Sequence, residues 1–136
     1  MSDAKCRVVA AGGSYEGKQG LTYVAGLTGA TAGSRGVCLH VVTLPPGRRA
    51  KTHFHRGIET AVFVLEGTVD MLWGERLEER LVARAGEYMY VPADIPHRVM
   101  NVSASDVRAV VAHTAADDQD GIVLLPELDE LSEAVR

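Results

Sequence analysis

Three of the five histidines in this 136-residue chain fall in two short stretches, at spacings that suit one metal ion. The first stretch runs from Gly47 through His53, His55 and Glu59 to Gly67, and the second from Gly86 through Pro92 and Pro96 to His97 and Asn101. On a strand, alternate side chains share a face, so His53 and His55 project to the same side about 6.5–7 Å apart. Neutral imidazole is a common metal ligand, and two at that separation can converge on one cation. His97 can join them only from a neighbouring strand. The spacing therefore makes a claim about fold, because a sheet curled on itself is what brings the three rings together.

The elements around these residues read as short strands divided by glycine and proline. Val37 to Leu44 is apolar and β-branched, and Pro45-Pro46-Gly47 stops it. Thr60 to Leu65 and Thr68 to Trp73 flank a hairpin corner at Leu65-Glu66-Gly67-Thr68. Leu77 to Ala83, Tyr88 to Val91, Arg98 to Met100 and Asp106 to Thr114 complete the set. Strands this short and this regularly spaced predict an all-β sandwich or barrel. The glycine-rich region before Val37 reads as loops with one extra strand near Leu21 to Ala25. A short helix opening at Pro126 fits proline in a first helical turn. Residues 1–136 are expected to form a single domain, with the motif-bearing core over about residues 37–114.

Composition narrows the classes of function. The net charge of −4 and the 5% aromatic content argue against a nucleic-acid partner, since no basic stripe is present. The longest clean apolar run, Ala61 to Leu65, is far too short to span a bilayer. The first twenty residues carry Asp3, Lys5, Arg7, Glu16 and Lys18 without an apolar core, so no signal peptide is read there. Cys6 and Cys38 are then expected as reduced thiols in a cytoplasmic protein. Val37 to Leu44 and Thr60 to Leu65 are apolar on both faces, which predicts that a second copy covers the outer one, most simply as a homodimer.

The two stretches together resemble the signature motifs of the cupin superfamily. Gly47, His53, His55 and Gly67 fit the first motif. Gly86, Pro92, His97 and Asn101 fit the second, and eighteen residues separate Gly67 from Gly86. The resemblance implies a double-stranded β-helix, a jelly-roll barrel with a metal at its centre and one open end. Two positions depart from the pattern. Asp94 stands where the family has glycine, and Asp tolerates the left-handed conformation better than most residues. The glutamate position is ambiguous. Counted from His55 it is Glu59, and counted back from Gly67 it is Thr60. One residue switches the face of a strand. Thr60 shares a face with Val62 and Val64, Glu59 shares one with Ala61, Phe63 and Leu65, and both faces are apolar. Two readings therefore stand: His53, His55, His97 and Glu59 as ligands, or the three histidines with water and Thr60 nearby. A bulge at the flexible Gly57 tips the balance slightly to Glu59.

Imidazoles with or without one carboxylate suit a divalent transition metal, Fe, Mn, Ni, Co, Cu or Zn. Three or four protein ligands leave a position for water, dioxygen or substrate, as in a catalytic centre. The chain is expected to bind a small-molecule ligand or substrate. The functional expectation is a metalloenzyme, a dioxygenase or a lyase or isomerase, on a small organic acid. A non-catalytic ligand-binding or sensing module is the rival, and an accessory role in a biosynthetic pathway is a third reading. His40 and His113 lie outside both motifs and are expected as interior or rim residues able to line the pocket.

Overall fold

The computed structural model describes residues 4–135. Eleven strands form two antiparallel sheets that face each other. In chain order they are β1 (Ser14–Glu16), β2 (Thr22–Leu27), β3 (Cys38–Leu44), β4 (His53–His55), β5 (Thr60–Glu66), β6 (Thr68–Trp73), β7 (Glu79–Arg84), β8 (Tyr88–Val91), β9 (His97–Met100), β10 (Val107–His113) and β11 (Ile122–Leu124). One sheet has the order β1-β2-β3-β10-β5-β8 and the other β11-β4-β9-β6-β7. Two helices accompany them, α1 (Gly29–Ala32), a single capped turn, and α2 (Pro126–Ser132), which opens at the proline as expected. Among the described residues no helix is long and apolar enough to cross a membrane.

Alternation fixes what looks inward. In β3, Cys38, His40, Val42 and Leu44 are buried, and in β5 Thr60, Val62 and Val64 are. These side chains meet Val69, Met71, Met89 and Val111 in the main core between the sheets. The β5–β6 corner needs glycine at Gly67, which has φ +86°; a β-carbon there would stand 2.4 Å from the Asp106 carbonyl oxygen. Asp94 adopts φ +66°, the left-handed conformation that the sequence anticipated for it.

Strand β6 is buried on both faces because α2 lies on its outer side, where Leu128 meets Leu72, Leu77 and Met100. Arg98 anchors this cover. Its guanidinium donates to the Ala50 and Asp129 carbonyls, to Ser132 Oγ and to Glu133, and it is 5% exposed. Asn101 is fully buried and ties three loops together, donating to the Leu44 and Ser105 carbonyls and accepting from Ser103. The region from Glu75 to Arg80 plants Leu77 in the α2 cluster at φ 55°, and Arg80 pairs with Asp70 at 2.7 Å.

The outer face of the six-stranded sheet is covered less completely by the described residues. Val37, Leu39, Leu65, Tyr88 and Tyr90 remain exposed there. We propose that a second copy of the chain packs on this face, since two-fold pairs are the commonest way to bury such a surface. Light scattering at micromolar concentration should return about twice the monomer mass of 14.6 kDa. A single species at the monomer mass would contradict the proposal.

Candidate metal centre

His53 and His97 are direct cross-strand partners in β4 and β9, and His55 lies one alternation further along β4, opposite Ile122 of β11. The three rings point into the barrel. Each offers one nitrogen, and these atoms lie within 4.8 Å of one another. Each residue is no more than 5% exposed. Such a cluster is able to hold a metal ion.

Two backbone carbonyls set the aim of two rings. The Nδ1 of His53 lies 2.8 Å from the Lys51 carbonyl oxygen, and the Nδ1 of His97 lies 2.9 Å from that of Ile95. A carbonyl accepts only, so Nδ1 carries the proton and Nε2 keeps its lone pair. The Nδ1 of His55 is buried and has no hydrogen-bond partner among the described residues. Pro96 and Ile95 hold the approach to His97, and Gly74 N–H binds the Pro96 carbonyl.

The interior keeps all these rings neutral. Burial lowers the pKa of His53 well below the ordinary value, and the neighbouring His97 lowers it further. Burial also lowers His97. His55 is pushed down to about 4 by burial and by His97. A neutral imidazole is the form that binds a metal.

Two more histidines extend the cluster from the opposite sheet. His113 of β10 sits with its ring centroid 4.7 Å from that of His55, and its Nδ1 lies 2.8 Å from Thr60 Oγ1. Burial, with His55 and His40 nearby, takes its pKa down to about 3. His40 of β3 stacks on His113 at 5.4 Å and meets Tyr23 edge-on at 4.8 Å. Neither ring nitrogen of His40 has a hydrogen-bond partner among the described residues. All five histidines of the chain thus form one continuous array, of which the spacing rules pick out only three.

Glu59 is not part of it, which corrects the four-ligand expectation. The residue is exposed, its carboxylate accepts from the Tyr90 hydroxyl, and its backbone pairs with Thr114 on both sides. The bulge that would have turned it inward is absent. Gly57 does take φ +67°, but in the turn before β5, where its N–H donates to Asp94 Oδ1. Strand β5 then runs in simple alternation, so Thr60 faces the histidines with Val62 and Val64 behind it, and Glu59 faces out.

The cavity in front of the triad measures about 60 Å³. Its walls are mainly apolar, with Leu21, Val42, Val62, Met89 and Val99 among them. Gln19 and Tyr23 also line it. Sequence reasoning missed both, because the glycine-rich segment that carries them shows no chemistry-bearing spacing.

Comparison with known proteins agrees with this architecture. The family model described as a cupin domain matches residues 40–113, and the chain belongs to that family. It is 34% identical over 83 residues to a protein of Streptomyces cyaneus named polyketide synthase CurC, a match that covers 60% of this chain and 49% of that one. The chain thus spans about half the length of this curated relative. A Klebsiella pneumoniae protein with a double-stranded β-helix domain superposes with a TM-score of 0.64 at 16% identity, covering 82% of this chain and 80% of that one. An oxalate oxidase in complex with the substrate analogue glycolate superposes with a TM-score of 0.67 at 25% identity, covering 80% of this chain and 57% of that one.

The buried histidines predict how stability depends on pH. The unfolded chain takes up protons near pH 6.5, whereas His55 refuses one until about pH 4 and His113 until about pH 3. Below pH 6.5 the unfolded state therefore binds more protons, and stability falls as pH falls. Urea titration of the metal-free protein should give a constant midpoint above about pH 7 and a steadily lower one from pH 6.5 towards 4. A midpoint that did not move across this window would contradict the burial of neutral imidazoles.

Proposed function

We propose that this cupin is a metal-dependent enzyme acting on the oxygens of a small, largely apolar metabolite. His53, His55 and His97 would hold a divalent transition metal through Nε2. The observation that carries the reading is the convergence of three buried, neutral imidazoles with no carboxylate among them. Two of the rings have their other nitrogen occupied by a backbone carbonyl, so the donor set fits a borderline divalent cation.

When bound, such a metal supplies Lewis acidity towards a carbonyl or enolate oxygen. The chain's own residues account for the rest. With no protein charge to offset a cation, the triad favours an anionic or strongly polarised oxygen. The apolar walls exclude water and orient the body of the ligand. Thr60, through its hydroxyl, holds the neutral His113 imidazole beside His55. The name of the curated relative supports a substrate with several carbonyl or phenolic oxygens on one carbon skeleton. The likeness to an oxalate oxidase favours a second reading, oxidation of a small organic acid by dioxygen with iron or manganese bound.

Elemental analysis of untagged protein should find about one transition metal per chain. The His53→Ala, His55→Ala double variant should lose at least about 10-fold in affinity by chelator competition, about 1.4 kcal/mol. Glu59→Gln should stay within about twofold of the unmodified protein, because a carboxylate outside the barrel contributes no bond. Metal binding that ignored both histidines, or that collapsed with Glu59→Gln, would contradict the assignment. With metal bound, catalysed deuterium exchange at the acidic carbon of a 1,3-diketone, without oxygen uptake, supports the Lewis-acid reading. Oxygen uptake with a small acid supports the second. Binding without either reaction points to a non-catalytic module.

A further inference from the structure

We infer that Gln19 determines ligand specificity at this site: its carboxamide nitrogen donates to a second oxygen of the molecule that the histidine triad takes. The inference rests on the metal-dependent reading above and adds the chemistry of the rest of the ligand. Gln19 lines the cavity, is 2% exposed, and stands among apolar walls.

A chain of hydrogen bonds fixes which end of its amide the protein engages. Lys18 N–H donates to Gln119 Oε1 at 2.7 Å, so the other amide atom of Gln119 is its nitrogen. That nitrogen donates to Asp118 Oδ2 at 3.0 Å, which also accepts from the Tyr15 hydroxyl at 2.6 Å. Burial pushes Asp118 towards protonation, but those two bonds, together with the nearby His40 and a backbone hydrogen bond, outweigh it and lower its pKa. The same Gln119 nitrogen reaches Gln19 at 3.2 Å, and the atom it meets there has to be an acceptor, Oε1. The Nε2 of Gln19 is therefore the end left over. It has no protein acceptor among the described residues. An amide donor with no protein acceptor is free to bind a ligand oxygen, and among apolar walls such a bond counts for more than in water.

The backbone ties this amide to the triad. The Gln19 carbonyl accepts from Lys51 N–H at 2.7 Å, and the Lys51 carbonyl is the one that orients His53. One residue thus links the two recognition points. Gly17 makes room for the arrangement. A β-carbon on it would stand 2.4 Å from Tyr23 Cε2, 2.7 Å from Gln19 Oε1 and 2.8 Å from Gln119 Nε2. The ligand class that fits has one oxygen or oxygen pair for the metal and a further carbonyl, phenol or phenolate oxygen for Gln19, on an otherwise apolar body.

The test uses cobalt(II)-loaded protein under anaerobic conditions, with catechol, pyrogallol and 1,2,4-trihydroxybenzene as probes. Visible absorption of the cobalt reports binding at the metal, and calorimetry gives affinity. At least one triol should bind the unmodified protein about fivefold or more tighter than catechol. Gln19→Leu should abolish that preference while catechol affinity and the cobalt spectrum stay within about twofold. Gln19→Glu, which keeps the size of the side chain and replaces the donor by an acceptor, should abolish it too. A preference that survived in either variant, or that the unmodified protein lacked, would overturn the inference and leave the metal reading standing. Failure of the unmodified protein to bind cobalt would overturn the metal reading, and this inference with it.

Discussion

The Lys51 and Ile95 carbonyls hold the Nδ1 protons of His53 and His97, and the chemistry of the barrel follows from that. A ring so held turns its Nε2 lone pair inward and cannot take up a second proton without placing a charge in an apolar interior. His55, His113 and His40 add further buried imidazoles, each with its pKa lowered by burial. The Asp118 carboxylate bonds Gln119 and Tyr15 and is not among the triad nitrogens. The interior therefore holds many lone pairs and little charge. That suits a cation whose own charge is to be felt by the ligand.

The strand parity of β5 has the same kind of reach. Both Glu59 and Thr60 lie at spacings the motif tolerates, and both faces of Thr60 to Leu65 are apolar, so hydrophobic pattern alone carries no direction. The pairing of Thr60 with His113 in β10 and with Val91 in β8 supplies it. Once Thr60 faces the histidines, Glu59 has to face Tyr90 and solvent. A tertiary contact fifty-three residues away in sequence thus decides which of the two residues faces the histidines, a choice that local spacing leaves open.

The motif-bearing strands were legible for a related reason. Alternation, glycine corners and proline stops are local signals, and they located β3, β5, β6, β8 and β10 within a residue or so. The triad itself was legible because a His-x-His pair on a strand has one geometric meaning. What stayed hidden depends on distant partners. Strands β1 and β11 are three residues each and exist because β2 and β4 offer them an edge. The outer face of β6 is dry only because Arg98 pins α2 over it. Gln19 sits between Gly17 and Gly20 in a segment without periodicity, and its role emerges only when Gln119, a hundred residues later, reaches it.

The account stands on the tautomers of His53 and His97. Two-bond proton–nitrogen correlation spectra of the metal-free protein, with uniformly labelled histidine and assigned by His53→Gln and His97→Gln variants, report them directly at neutral pH. The account predicts Nδ1-protonated, uncharged rings for both residues, with the Nε2 resonances moving on addition of one equivalent of zinc. Rings protonated at Nε2, or doubly protonated at pH 7, would contradict it.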